Sequence, residues 1–251
     1  MGLIVQGRVV VVDHDNKEWL KTSSQGNPTK EVIEGLTVYS LFKRLRTSKK
    51  IRRKYRNKIP GDNCPIIYAL KGKDNLTTDL TSIKKLRISY NSIISIFQAS
   101  EPNGYDLVIS MPSAHNISRI IGKRLAGTFS AHHSDNFLRK LTIDEAFNLL
   151  DRADISVDEH KALSFRLRKQ RQESGFQGAF SLKGIPVPFR SEFPPLCLNN
   201  TEIENLEPLR ILLVDDLLAT GTTLKTAHNL VESIYPQAVI HGASLISSSM
   251  K

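Results

Sequence analysis

The stretch "RILLVDDLLATGTTL", residues 210–224, sets Asp215 and Asp216 directly after an apolar run and follows them with small and hydroxylated residues. Adjacent carboxylates repel unless a cation or a proton donor lies beside them. The apolar run has the composition of a strand buried on both faces, and open parallel sheets bind ligands outside the carboxyl ends of such strands. Leu217, Leu218, Ala219, Thr220, Gly221, Thr222 and Thr223 then lead into a helix N-terminus. Its free backbone N–H groups and positive dipole end suit an anion. Gly221 allows close backbone approach, and the threonine hydroxyls add donors. One short element thus offers acceptors for hydroxyl groups and, a little further on, donors for a phosphate. A sugar phosphate with vicinal hydroxyls, ribose 5-phosphate for example, meets both demands.

The elements that must position these residues are legible in outline. Leu224, Ala227, Val231 and Ile234 form one helical face, Pro236 follows its end, and "AVIHGASLIS" reads as another strand. Strand, helix and strand at this spacing predict a βαβ crossover and a parallel sheet. Upstream, "YDLVISM" (105–111) reads as a buried strand stopped by Pro112, and Ile117, Ile120, Ile121 and Leu125 give the helix after it an apolar stripe. Thr142 with Glu145 and Ser156 with Glu159 have capping-box spacing, so 142–173 predicts two helices. "GAFSLKG" (178–184) reads as a short strand or extended segment, and "IPVPFRSEFPP" as an extended surface run. Residues 3–21 predict a β-hairpin turning at "HDN", "NCPIIYALKG" (63–72) a short buried strand, and "SYNSIISIFQAS" a helix ending before the breaker "EPNG" at 101–104. The breaker divides the chain into an N-terminal β-rich, basic extension (1–100) and an α/β core (101–251) with a helical insertion at about 130–175.

The run from Val214 to Leu224 resembles the phosphoribosyl-pyrophosphate motif of type I phosphoribosyltransferases over all its positions. The resemblance implies that family's fold, a parallel sheet flanked by helices. It implies that Asp215 and Asp216 hold the ribose hydroxyls and that 217–223 cradle the 5-phosphate. "YALKGKDNL" (68–76), "DLVISMPSAHNISRIIGKRLA" (106–126) and "RKQRQESGFQGAF" (168–180) are similar, more loosely, to the competence-protein (ComF-like) branch. The implied reaction displaces pyrophosphate from C1 of phosphoribosyl pyrophosphate by a nitrogen nucleophile, with Mg²⁺ chelated by pyrophosphate and sugar hydroxyls. The pyrophosphate loop would be Pro112, Ser113, Ala114, His115 and Asn116, which has no Lys, Arg or Gly where the family usually carries one. The leaving group needs cations. Arg139, Lys140, Arg166, Arg168 and Arg171 lie where the family has a mobile catalytic segment, and Arg139 and Arg168 are taken as catalytic candidates.

Charge suggests a second role. Leu36–Gly61 holds no acid but ten basic residues, equal to the whole net charge of +10. Such a block attracts polyanions, and Arg52, Arg53 and Lys54 are the expected nucleic-acid contacts. A phosphoribosyltransferase fold acting as a nucleic-acid-associated effector, in a defence system for example, is therefore the alternative to catalysis. A minor alternative is a haloacid-dehalogenase-like phosphatase, with Asp13 of "VVVVDHDN" as nucleophile. His132, His133 and Asp135 lack the spacing of a resident metal site. Cys64 and Cys197 are far apart and suit a reducing cytoplasm. No run approaches the ~20 apolar residues of a membrane helix, so no membrane partner is expected, and a homo-oligomer is left open.

Overall fold

The computed structural model describes residues 2–45, 48–55, 59–182, 184–199 and 207–248. In chain order the elements begin with β1 (Gly2–Gln6), β2 (Val9–Asp13), β3 (Leu20–Lys21), β4 (Thr29–Ile33), β5 (Leu36–Arg44) and α1 (Lys49–Lys54). They continue with α2 (Pro65–Leu70), β6 (Thr77–Thr78), α3 (Leu80–Ser100), β7 (Leu107–Ser110), α4 (Ile117–Phe129), β8 (His132–Ser134) and β9 (Leu138–Lys140). The last are α5 (Ile143–Leu150), α6 (Val157–Ser174), β10 (Leu196–Leu198), β11 (Arg210–Leu217), α7 (Thr222–Ile234) and β12 (Val239–Ile246).

The central sheet has seven strands among the described residues, in the order β3-β5-β12-β11-β7-β8, with β4 also on β5. The pairs β5–β12, β12–β11, β11–β7 and β7–β8 are parallel, and β3 and β4 run antiparallel to β5. Helices cover both faces, as a mostly parallel sheet requires. Along β11 the pleat sorts the side chains: Leu212 and Val214 enter a core with β1, β2, α2, α3 and α4, while Ile211 and Leu213 enter one with α7. A third core joins α5 and α6 through Ile143, Leu150, Leu163 and Leu167. Both predicted capping boxes form there, at Thr142–Glu145 and Ser156–Glu159.

Several expectations need correction. The breaker at 101–104 does not divide the sheet, because β5 pairs with β12 from Thr37 opposite His241 to Phe42 opposite Ile246. "LTVYSLFKR" is β-branched and aromatic and almost wholly buried, the signature of a strand inside a parallel sheet. Residues 1–100 therefore supply β3, β4 and β5 to the central sheet as well as the β1-β2-β6 sheet. The first hairpin turns at Gly7-Arg8, with Gln6 opposite Val9 and Gly7 at φ +60°. A two-residue hairpin loop needs such a left-handed residue, which glycine adopts freely, and "HDN" begins six residues after Arg8, beyond the end of β2. Residues 65–70 are a helix, opened by Pro65 at its first turn; a short apolar run does not distinguish the two periods. The region about 130–175 is not purely helical, since β8 joins the central sheet and β9 pairs with β10. The proline-rich run contains a 3₁₀ turn, Val187–Glu192, between the buried anchors Ile185 and Phe193.

At the edge opposite the carboxyl ends of the strands, Glu101 ties three parts of the sheet together. Its carboxylate accepts from Tyr39 of β5 and, at 2.6 Å, from Arg210 of β11, while Tyr105 meets His241 of β12 at 2.9 Å. Asp106 accepts from the backbone N–H groups of Leu209 and Arg210 at 2.9 and 2.8 Å. Burial holds the His241 imidazole below its ordinary pKa.

Gly122 of α4 shows how closely this layer packs. A Cβ there would lie 2.1 Å from Ser110 Oγ and 2.9 Å from His133 Nε2, whereas a Cβ at Gly127 would meet nothing within 4 Å. Gly122→Ala should lower stability by about 1–3 kcal/mol through overpacking. Gly127→Ala, in an exposed helical position, should leave it unchanged or raise it by up to about 1 kcal/mol. Denaturant midpoints of the two variants check the contrast.

Candidate functional site

The carboxyl end of β11 places the two acids by the same alternation that sorts its core residues. Asp215 follows the α7 face and lines a small cavity of about 50 Å³ with Leu217–Leu224. Asp216 follows the other face, is 5% exposed, and pairs with Lys71 Nζ at 2.6 Å. The backbone N–H of Asp216 donates to Asp215 Oδ1 at 2.8 Å. The acids are neighbours in sequence, but they have different partners.

The loop after them is built on Leu218, which is buried, and Gly221, whose φ of +81° opens α7. A Cβ at Gly221 would lie 3.0 Å from two carbons of Ile33 in β4, so that side of the glycine is already filled by protein. The β4–β5 turn is also held to α7 by Lys225 Nζ, which donates to the Glu34 carbonyl at 3.0 Å. Thr220 and Thr222 share a hydroxyl–hydroxyl hydrogen bond of 2.9 Å. The cavity is several times the ~10–15 Å³ needed for one water. Its lining combines a carboxylate, two exposed hydroxyl residues and the first turn of α7, where backbone N–H groups lack helical acceptors.

Electrostatics set Asp215 apart. Burial, and then the adjacent Asp216 charge, push its carboxyl up to about 6. The side chain keeps some solvent contact, but most of its surroundings are protein. Lys71 follows α2 and was not singled out as a functional residue from sequence; only the packing of the N-terminal region against β11 brings it there. Beside it, Cys64 is pushed up to about 11, chiefly by burial. Arg44 is buried and donates to the carbonyls of Asp62 and Asn63.

The loop after β7 borders a larger cavity of about 410 Å³, lined by Pro112, Ser113, His115, Asn116, Arg119 and Asp135. Ala114 is exposed and outside that lining. The lysine or arginine on this lining is Arg119, in the first turn of α4 and paired with Asp135. Its signal was present in "NISRIIGK", but one arginine on a helix does not reveal which loop it faces. His133 lies in β8, where its Nε2 meets Ser110 Oγ at 2.9 Å under α4, and burial lowers its pKa. The described residues contain no group of three or more His, Cys, Asp or Glu able to hold a metal ion.

The other expected residues are not gathered here. Arg139 forms a two-pronged pair with Glu145 at 2.7 and 2.5 Å, which holds that carboxyl down to about 2. Its guanidinium therefore completes the α5 cap. Arg168 is exposed on α6, with no described contact to the acids. Arg166 donates to the Gly184 carbonyl, and Arg171 lies over Phe147 and Phe176. In the basic block, Arg53 is exposed and Lys54 lies 5.2 Å over the Tyr55 ring. The Lys50 and Arg52 side chains, and Arg46, Arg56 and Lys58, fall outside the described residues. Asp13, the nucleophile of the phosphatase alternative, belongs to the β1-β2-β6 sheet, separate from the one that carries Asp215. There it accepts from the Asp15 N–H, which makes it a turn residue. No helix of the described residues is long and apolar enough to cross a membrane.

Comparison with known families bears on the segment that carries the acids. Residues 168–249 match the phosphoribosyl transferase domain. The match runs from the last turns of α6 through β10, β11, the acid pair, the loop, α7 and β12, about a third of the chain. No curated protein matches the chain.

Two predictions follow from the charges. Because the folded carboxyl of Asp215 titrates above its unfolded value of 3.8, its favourable contribution is full below about pH 4 and is lost as pH rises through about 6. Asp215→Asn should therefore raise the melting temperature at pH 8 by about 3–6 °C, for about 1–2 kcal/mol after allowance for solvent. The gain should vanish near pH 4, and thermal scans across that range test it. Lys71→Met leaves Asp216 buried without its partner, so it should cost about 2–4 kcal/mol at pH 8; denaturant titration measures the loss.

Proposed function

We propose that the carboxyl edge of the central sheet binds phosphoribosyl pyrophosphate and transfers its phosphoribosyl group to a nitrogen nucleophile, releasing pyrophosphate. The observation that carries this reading is the cavity shared by Asp215 and the 217–224 turn, within the segment that matches the phosphoribosyl transferase domain. In it the 5-phosphate accepts from the backbone N–H groups and threonine hydroxyls that open α7. The Asp215 carboxylate accepts from a ribose hydroxyl. Hydrogen bonds of this charge-assisted kind contribute about 1.5–3 kcal/mol each. The pyrophosphate extends toward the Ser113–Arg119 cavity, where Arg119 can exchange Asp135 for a phosphate oxygen. The looser similarity to the competence-protein branch is part of this proposal.

Mg²⁺ fits the donor set as an ion held mostly by its ligand. It takes one or two carboxylates together with phosphate oxygens, and Asp215 is the carboxylate free to contribute. When bound, the ion would offset negative charge growing on the departing pyrophosphate. The protein's share is to orient the sugar, exclude bulk water from C1 and hold Asp216 neutralised by Lys71.

A binding-only role is the second reading. It is favoured by the internal pairing of the site's charges, Asp216 with Lys71 and Arg119 with Asp135. Turnover separates the two. With ligand at a hundred times its dissociation constant, about 2.7 kcal/mol of added stability should raise the melting temperature by about 5–10 °C. Asp215→Asn should abolish that shift while keeping its own higher baseline. Pyrophosphate release on addition of a nucleobase and metabolite mixture supports transfer. A thermal shift without release supports binding alone, and no shift at millimolar phosphoribosyl pyrophosphate with Mg²⁺ overturns both.

A further inference from the structure

A second concavity lies away from the acids' own cavities, between α3 and α4, with a volume of about 280 Å³. Its walls are almost entirely apolar, and Ile83 and Ile120 remain 40% and 53% exposed along it. Isolated exposed apolar residues need no explanation; a concave run of them facing one another does. The volume is close to the ~300 Å³ at which small-molecule pockets begin.

The charged groups of the groove are all of one sign. Arg87 of α3 and Arg124 of α4 line it, and both are exposed. Neither has a carboxylate partner among the described residues. Arg124 rests 5.5 Å over the ring of Tyr90, whose buried hydroxyl has no hydrogen-bond partner there either. The two helices carry Lys84, Lys85, Arg87, Arg119, Lys123 and Arg124 and not one Asp or Glu. An apolar slot flanked by two arginines that have no carboxylate partner among the described residues is complementary to a molecule with a hydrocarbon body and an anionic head. A nucleic-acid backbone would use the arginines but leave the apolar walls uncovered. A flat lipid surface would not reach the walls of a concave groove.

We propose that this groove binds a free amphipathic carboxylate, with its chain between α3 and α4 and its head at Arg87 and Arg124. The site is separate from the reading of the Asp215 cavity and does not depend on it.

Calorimetric titration of the full chain with decanoate tests the proposal. One equivalent should bind with a dissociation constant of about 0.1–1 mM, as expected for a ligand of this size. Decylamine and butyrate, which lack the anionic head and the chain respectively, should bind at least about tenfold more weakly. The Arg87→Glu/Arg124→Glu variant should lose about tenfold or more in affinity for decanoate, and Ile120→Glu should lose it as well. All three positions are exposed, and a melting temperature close to wild type verifies that the variants fold. No heat with decanoate at about 5 mM overturns the proposal, as does equal binding of decylamine or unchanged affinity in the double variant. Binding to phosphatidylglycerol vesicles or to a single-stranded oligonucleotide, abolished by the double variant while decanoate is ignored, reassigns the face to a lipid surface or a nucleic acid and overturns it too.

Discussion

The structure depends on β11 being buried on both faces until it reaches two acids. Its neighbours β12 and β7 satisfy the backbone on both edges, from Ile211 through Val214. Helices on either side take up Leu212 and Val214 or Ile211 and Leu213. A strand so confined cannot slip by one residue without driving half its side chains into the wrong core. Fixing that register also fixes where Asp215 and Asp216 emerge, and on which faces.

The alternation has an electrostatic consequence. Two carboxylates at the end of a buried strand are costly to ionise together. The protein divides the problem between its two layers: Asp216 is met by Lys71 from the N-terminal region, while Asp215, at the cavity before α7, forms no ion pair among the described residues. That acid is the one whose carboxyl is pushed up to about 6 by burial and then by the Asp216 charge. Such unmatched, shifted groups mark sites that expect a ligand more often than sites that only hold a fold together. In the layer opposite α7, α3 and α4 carry no acid and border an apolar groove, so chemically different concavities lie on the two faces of the sheet.

At the opposite edge of the sheet, the Glu101 network performs a structural task. It links β5, the start of β11 and β12 through Tyr39, Arg210 and the nearby His241. Tyr39 and Arg210 are 62 and 109 residues from Glu101 in sequence. Their mutual satisfaction explains how charged groups persist beneath aromatic rings, and it is why residues 1–100 fold as part of the sheet and not as an appendage.

Local patterns fixed much of this molecule. The β11–α7–β12 crossover, the strand and helix at 107–129, both capping boxes and the Asp215–Thr223 turn were readable, because each rests on periodicity, a cap or a breaker within a few residues. The strand at 36–44 lay hidden at the start of the basic block, and its place beside β12 was not legible either, since parallel partners two hundred residues apart leave no local trace. The same limit hid Lys71 and Arg119, ordinary basic residues until the packing of α2 and α4 brings them to the site. It also misdirected Arg139, a plausible cation in sequence that the fold spends on Glu145. The chain's sequence determined which groups stand at the carboxyl end of β11; the tertiary structure alone decided which charge each of them meets, because ion pairing depends on distance through space and not along the chain.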